Sequence, residues 1–337
     1  MKIDDFDTTE RVFIIAEIGN NHEGDFALAE RLIDLAAKAG VDAVKFQAIV
    51  PERLVPADQT ARLEQLRRYQ FSHSQFELLA EKARACGVRF FATPFDPDTA
   101  TWLAGFCPVL KIASGDNTYF ALLDACARTG RPILLSTGFA DLDEVRGSAD
   151  FVRQRWRDAA LDPGLALLHC VAAYPVPAAE ANLRAIRALA TLGCEVGYSD
   201  HTLGVEAAVL SVAAGARVVE KHFTISKTHS EFRDHQLSAD PEEMAALVER
   251  VREAEQLLGS GIKALSPAEG ETVEALRRSA VARDDISAGT ILASEHLDWL
   301  RPGDGLAPGQ ESCILGKRLK LALARGQQIA PDHLLDS

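Results

Sequence analysis

Eight times between residue 12 and about residue 258, a short apolar or β-branched run alternates with a stretch spaced like an amphipathic helix. That rhythm restricts the chain to an α/β architecture. The strand candidates are Val12–Ile18, Ala43–Phe46, Arg89–Thr93, Val109–Ile112, Pro132–Ser136, Ala166–Cys170, Glu195–Ser199 and Val218–Phe223, and between them Phe26–Lys38, Gln75–Cys86, Ala179–Ala190 and Val205–Ala214 read as helices. Eight such units in roughly 250 residues is the size of a TIM (β/α)8 barrel. The sequences Ala39-Gly40-Val41, Cys86-Gly87-Val88 and Ala214-Gly215-Ala216 each close a helix with glycine and lead into a strand. A doubly wound open sheet would use the same device. The closed barrel is favoured because nearly every strand ends in polar side chains, as the catalytic face of a barrel does.

A helix at Pro241–Leu258 ends this region, which gives a barrel domain over residues 1–258, a linker over 259–277 and a second domain over 278–337. The linker opens with the Gly-, Ser- and Pro-bearing stretch Gly259–Gly270. Beyond it, short strand-like pieces at Ser279–Ala282, Ile291–Leu292 and Arg318–Leu321 are separated by glycine-containing turns. A mostly β module of about sixty residues is near the lower limit of independent stability, so it is expected to lean on the barrel or on a partner subunit.

With 337 residues, two domains are expected, because single cores stop growing near about 250 to 300 residues. No apolar run approaches the roughly 20 residues of a membrane span. The opening MKIDDFDTTERVF carries acids where a signal peptide needs basic residues, so a cytoplasmic protein is expected. A formal charge of −13 argues against nucleic acid as a partner while leaving room for a small anion in a local basic pocket. Cys86, Cys107, Cys126, Cys170, Cys194 and Cys313 are scattered without a C-x-x-C pair, which favours buried free thiols over disulfides or a zinc site.

The predicted strand ends carry Glu17 and Asn20 to Gly24, Lys45 and Gln47, Thr93 to Asp96, Lys111 to Asp116, Ser136 to Gly138, His169 to Cys170, Ser199 to Thr202, and Glu220 to His222. An ammonium pointing into a barrel mouth is costly unless an anion or carboxylate meets it. Lys45, Lys111 and Lys221, with Thr93, Ser114, Ser136 and Ser199, therefore make a set of cations and hydroxyls suited to phosphate and carboxylate oxygens. Each lysine alone would be more ordinary as a salt-bridged structural residue. His201 and His222 end adjacent strands and can converge on one divalent metal, or can be rim histidines satisfied by Asp200 and Glu220. His22 reads as a loop-shaping residue and His169 as a buried, hydrogen-bonded one.

The order of AEIGNNHEGD, KFQ, TPFD, KIASGD, STG, LHCVAAYPVP, GYSDHT, EKHFT and RDHQLS resembles the N-acetylneuraminate (sialic acid) synthase family, with its legionaminic acid and spore-coat polysaccharide relatives. RRSAVARDDISAGT and LRPGDG continue the likeness into a tail similar to that family's antifreeze-like (SAF) domain. The resemblance implies a transferase that condenses phosphoenolpyruvate (PEP) with an N-acetylmannosamine-like aldehyde, with C–O cleavage and loss of phosphate. It implies PEP contacts at Lys45, Thr93, Lys111, Ser114, Ser136 and Ser199, and sugar or proton-transfer roles for Glu17, Gln47, Asp116, Glu220 and Asp234. It further implies a Mn2+ site at His201 and His222, and a domain-swapped homodimer in which Arg301 reaches the partner's site.

Asp116 stands where the family often carries Glu, and Ala172 where it often has a polar residue. The segment Ile49–Phe71 is shorter than in sialic acid synthases and is expected to lack part of the loop that closes over the sugar. Two other functions compete with this reading: a PEP-dependent aldulosonate synthase of the heptulosonate kind, and an inactive carbohydrate-binding scaffold.

Overall fold

The computed structural model describes residues 1–335. The chain divides into two compact units, Met1–Gly259 and the remainder from Ser260.

The first unit is an eight-stranded parallel barrel: β1 (Phe13–Gly19), β2 (Ala43–Ala48), β3 (Arg89–Pro94), β4 (Leu110–Ile112), β5 (Ile133–Ser136), β6 (Leu165–Cys170), β7 (Glu195–Asp200) and β8 (Val218–His222). The strands pair in the order 3-2-1-8-7-6-5-4. The register from Val218↔Phe13 to His222↔Glu17 joins the last strand to the first. β3 and β4 lie side by side without an assigned ladder. Every residue of β1, β5, β6 and β8 is buried, as expected of parallel strands covered on both faces. The strands match the sequence expectation to within one or two residues. The one departure of consequence is Phe223, which leaves the ladder to bridge Ala239.

Helix Phe26–Lys38 buries Ala29, Leu32, Ile33 and Ala36, the 3-4-7 spacing of a single apolar face, and its N-terminus is capped by Asp25 accepting from the Leu28 amide. Gly40, Gly87 and Gly215 have positive φ, so each helix-closing glycine adopts the left-handed turn that other residues resist. Helix Ala179–Ala190 is shorter than its pattern suggests. Asn182 takes a φ of 43° and interrupts it, so the regular helix runs only over Ala185–Ala190.

The second unit has its own core of Ala280, Ala282, Ile286, Leu292, Leu297, Ile314, Leu319, Leu323, Ile329 and Leu334. β9 (Ser279–Ala282) and β10 (Leu297–Leu300) pair antiparallel. Ile291 and Arg318 meet only as an isolated bridge where longer strands were expected. The stretch read as a linker contains helix Gly270–Leu276, and the Gly303 amide donates to the Glu274 carbonyl at 2.6 Å. All six cysteines are free. Cys107, Cys126 and Cys170 are buried as expected, whereas Cys313 is exposed. Among the described residues no helix is long and apolar enough to cross a membrane.

Candidate active site

A cavity of about 1010 Å3 opens among the C-terminal ends of the barrel strands. Successive strand residues face opposite ways, so Lys45, Thr93, Lys111, Ser136, Ser199, Glu220 and His222 line it. On its floor Lys45 Nζ lies 2.7 Å from Glu17 Oε2, 3.1 Å from Thr93 Oγ1 and 3.7 Å from Glu220 Oε2. Lys111 Nζ donates to Ser136 Oγ at 2.8 Å and stands 3.6 Å from Glu220 Oε1. Ser199 donates to the same Glu220 oxygen at 2.8 Å. Two ammoniums thus flank one carboxylate, and Glu17 sits on the outer side of Lys45.

Burial works against the Glu220 carboxylate, but Lys111 and Lys45, aided by the Ser199 hydroxyl, outweigh it and hold its pKa at about 2. Burial raises Glu17 above the ordinary carboxylate value despite Lys45, and the neighbouring charge of Glu220 adds to the rise. Lys45 is disfavoured by burial yet ends up raised through Glu17 and Glu220. For Lys111 burial prevails over Glu220, and its pKa falls. Of the two glutamates on the floor, Glu17 is therefore the readier to hold a proton, beside the Lys45 cation. Glu17 Oε2 and Glu220 Oε2 are buried without a hydrogen bond of good geometry, although Lys45 lies close to both.

His201 and His222 stand on the same wall with ring centroids 5.2 Å apart. His201 Nδ1 lies 3.0 Å from the Val171 carbonyl, so that nitrogen carries the proton and Nε2 keeps its lone pair. His222 Nδ1 is buried without any partner. Burial lowers both pKa values to about 4, outweighing Glu220 and Asp200 beside His201 and Asp234 and Glu220 beside His222, and leaves two neutral imidazoles at neutral pH. A neutral pair with an orphaned ring nitrogen suits a divalent metal. Among the described residues no group of three or more His, Cys, Asp and Glu could hold one, so such an ion would rest on two protein ligands. Tyr174 packs on His201 at 4.3 Å, and the Arg233 guanidinium lies 4.6 Å from the Tyr174 ring and 3.2 Å from Asp234.

The structure gathers every expected site residue into this cavity except Asp116 and Arg301. Asp116 ends the short turn Ser114–Asp116, of which Ser114 and Gly115 line the cavity, and partial burial raises its pKa to about 6. Arg301 is exposed and belongs to the second unit. Lys221 does not join the other strand-end lysines. It faces the opposite side of β8 and binds Asp200 Oδ2 at 2.9 Å and the Thr202 carbonyl at 2.5 Å. Asp200 and Glu220 are thereby committed to lysines and hydroxyls, so neither is the partner that a rim reading of the histidines requires. Ala172 lines a separate apolar cavity of about 530 Å3.

Sequence reasoning missed the outer wall. The segment Ile49–Phe71 contains helix Thr60–Tyr69, whose Arg62, Gln65, Leu66 and Tyr69 face the cavity. Their 3-4-7 spacing was visible as one helix face.

His22 is buried, stacks on Phe71 at 4.3 Å and accepts from the Gly24 amide at 3.0 Å. Burial lowers its pKa to about 4, below the value near 6.5 of the unfolded chain, so the unfolded state binds more protons between these two pH values. Stability must fall as pH drops through this window. We expect His22 to account for roughly 2 kcal/mol of the loss between pH 7 and pH 5, read as the difference between wild type and His22→Gln in chemical denaturation. Equal pH dependence in the two proteins would refute this.

Residues 32–263 match the NeuB family and residues 277–335 match the SAF domain. An uncharacterized protein of Methanocaldococcus jannaschii is 40% identical, covering 92% of this chain and 91% of its own. N,N'-diacetyllegionaminic acid synthase of Legionella pneumophila is 39% identical, covering 96% and 94%. The crystal structure of N-acetylneuraminic acid (sialic acid) synthetase from Leptospira borgpetersenii is 37% identical and superposes with a TM-score of 0.73 over 78% of this chain and 90% of that one.

Proposed function

Because this chain belongs to the NeuB family, we propose that it condenses PEP with the open-chain aldehyde of an N-acetylmannosamine-like amino sugar, giving a nonulosonic acid and phosphate. The observation that carries this reading is the pair Lys45 and Lys111, buried with Thr93, Ser136 and Ser199 at the base of the cavity that also holds His201 and His222. In the reaction, C3 of PEP bonds to the aldehyde carbon, water adds at C2, and the C2–O bond breaks to release phosphate. Lys45 and Lys111 neutralise the phosphate and carboxylate of PEP, and the three hydroxyls donate to oxygens whose charge grows as phosphate departs. Glu17, with its raised pKa, accepts and returns a proton close to Lys45. Gln47 and Asp234 face the polyol. A divalent metal held by His201 and His222, Mn2+ by family likeness, would supply Lewis-acid polarisation of the aldehyde.

The protein works in this reading as a cytoplasmic homodimer, with Arg301 of the small unit reading the N-acyl group in a partner's site. The decisive assay is PEP-dependent phosphate release with a panel of amino sugars and Mn2+. Release with an N-acetylmannosamine-like sugar is expected. Release only with short phosphorylated aldoses would instead indicate an aldulosonate synthase, and folded protein that releases none would remove the enzymatic reading.

A further inference from the structure

The walls of the cavity beyond the strand ends include helix Thr60–Tyr69, the segment between β8 and helix Pro241–Leu258, which contributes Arg233 and Asp234, and Asn20 and Glu23 of the turn after β1. One short turn after β1, residues 20 to 24, touches both. Gly24 lies so close to the helix that a Cβ there would stand 1.9 Å from the Arg68 carbonyl, at a φ of 89° that suits only glycine. On the other side Asn21 Nδ2 donates to the Phe223 carbonyl at 2.8 Å and to Ser238 Oγ at 3.0 Å, which fastens the two ends of the segment.

Glu23 holds the middle. Its Oε1 accepts from Ser230 Oγ at 2.6 Å and from His235 Nε2 at 3.0 Å. His235 is fully buried, and its Nδ1 lies 2.6 Å from Thr224 Oγ1. Nε2–H donates to the carboxylate and Nδ1 is bonded to the threonine hydroxyl, so a single chain of bonds runs from Glu23 through His235 to Thr224. Phe232 packs edge-on against both Tyr69, at 5.4 Å, and His235, at 5.9 Å. Glu23 itself has a φ of 49°, a conformation that non-glycine residues adopt rarely and keep only where the surroundings impose it.

We propose that Glu23 is a positioning residue that locks the segment after β8 in the conformation in which Arg233 and Asp234 wall the cavity. Without its carboxylate the buried His235 Nε2–H has no acceptor, and the segment opens to let water satisfy it. Arg233 and Asp234 are adjacent in sequence to the locked residues Phe232 and His235, so they move with them. Burial opposes the Glu23 charge, but the Ser230 and His235 bonds outweigh it and hold the carboxyl below its usual range, in keeping with a carboxylate fixed by these bonds.

The consequence for acceptor turnover rests on the synthase reading, whereas the lock does not. Hydrogen exchange and steady-state kinetics of full-length Glu23→Ala and Glu23→Gln separate the two. In Glu23→Ala the amides of residues 226 to 235 are expected to exchange at least about tenfold faster while the barrel strands keep their protection. In Glu23→Gln the amide oxygen accepts the same two bonds and restores most of the protection. KM for the sugar should rise about tenfold in Glu23→Ala while KM for PEP changes less than about twofold, as expected when one substrate's contacts are misplaced. Unchanged exchange in Glu23→Ala, failure of Gln to restore protection, or KM for PEP rising in step with that for the sugar would each overturn the proposal. Should Glu23→Ala not fold, Ser230→Ala removes the shorter bond and is read in the same way. If the wild type turns over no sugar, the synthase reading falls and the exchange data alone decide the lock.

Discussion

Lys45→Met is expected to abolish PEP-dependent phosphate release and to lower the stability of the barrel by about 3 kcal/mol, and adding Glu17→Gln is expected to recover stability without recovering activity. Lys45 is 3% exposed and stands between Glu17 and Glu220, which are themselves almost fully buried. Removing the ammonium leaves two buried carboxyl groups facing each other with only Lys111 to offset them, so Glu17, whose pKa is already raised, must take up a proton or face a like charge. Breaking a buried ion pair from one side costs far more than the pair contributes, because the remaining charge stays desolvated. Glu17→Gln removes the ionisable group of one of the two carboxyls, and its amide can still meet Gln47, whose Nε2 lies 3.3 Å from Glu17 Oε1. Glu220 then keeps Lys111 at 3.6 Å and Ser199 at 2.8 Å. Activity does not return, because a single ammonium is left for an anion that carries both a phosphate and a carboxylate. Denaturant unfolding and the phosphate assay on both variants check this. A Lys45→Met protein as stable as wild type would contradict the electrostatic account, and an active double variant would take Lys45 out of the PEP site.

The barrel was legible because its strands are buried on both faces and so read as uninterrupted apolar runs, with glycines marking the helix ends before residues 41, 88 and 216. The inner site was legible for a related reason. Polar residues appear in such strands only at their ends, where they must face a cavity or one another. The rule overreached at Lys221, where residue parity decides: Glu220 and His222 share one face of β8, and the lysine between them takes the other. Arg62, Gln65 and Tyr69 form a visible helix stripe, but which way a stripe turns depends on packing between elements, which periodicity does not encode. Asp116 is expected at the sugar from the family resemblance alone, and the turn Ser114–Asp116 brings Ser114 and Gly115, but not Asp116, to the cavity lining. Glu23 and His235 are 212 residues apart, and nothing local in either motif announces their bond.

His201→Ala and His222→Ala should each reduce turnover by about 10^3-fold or more and each abolish stoichiometric binding of Mn2+, with the barrel still folded. Two protein ligands leave no redundancy, since among the described residues there is no third His, Cys, Asp or Glu placed to complete a group. The stability effects should differ from those at an ordinary buried histidine. His222 Nδ1 makes no hydrogen bond in the protein, so in metal-free samples its removal costs packing but breaks no polar contact of that nitrogen. His169 supplies the contrast. Its Nε2 lies 2.9 Å from the Ala181 carbonyl, and it lines the separate apolar cavity. His169→Ala should therefore lower stability while metal stoichiometry is retained. Equilibrium dialysis against Mn2+ followed by metal analysis, alongside denaturant unfolding of metal-free protein, reads both quantities without reference to activity. Full metal occupancy in either His201→Ala or His222→Ala would remove that residue from the metal site, and loss of metal in His169→Ala would show that the site depends on barrel packing beyond its two ligands.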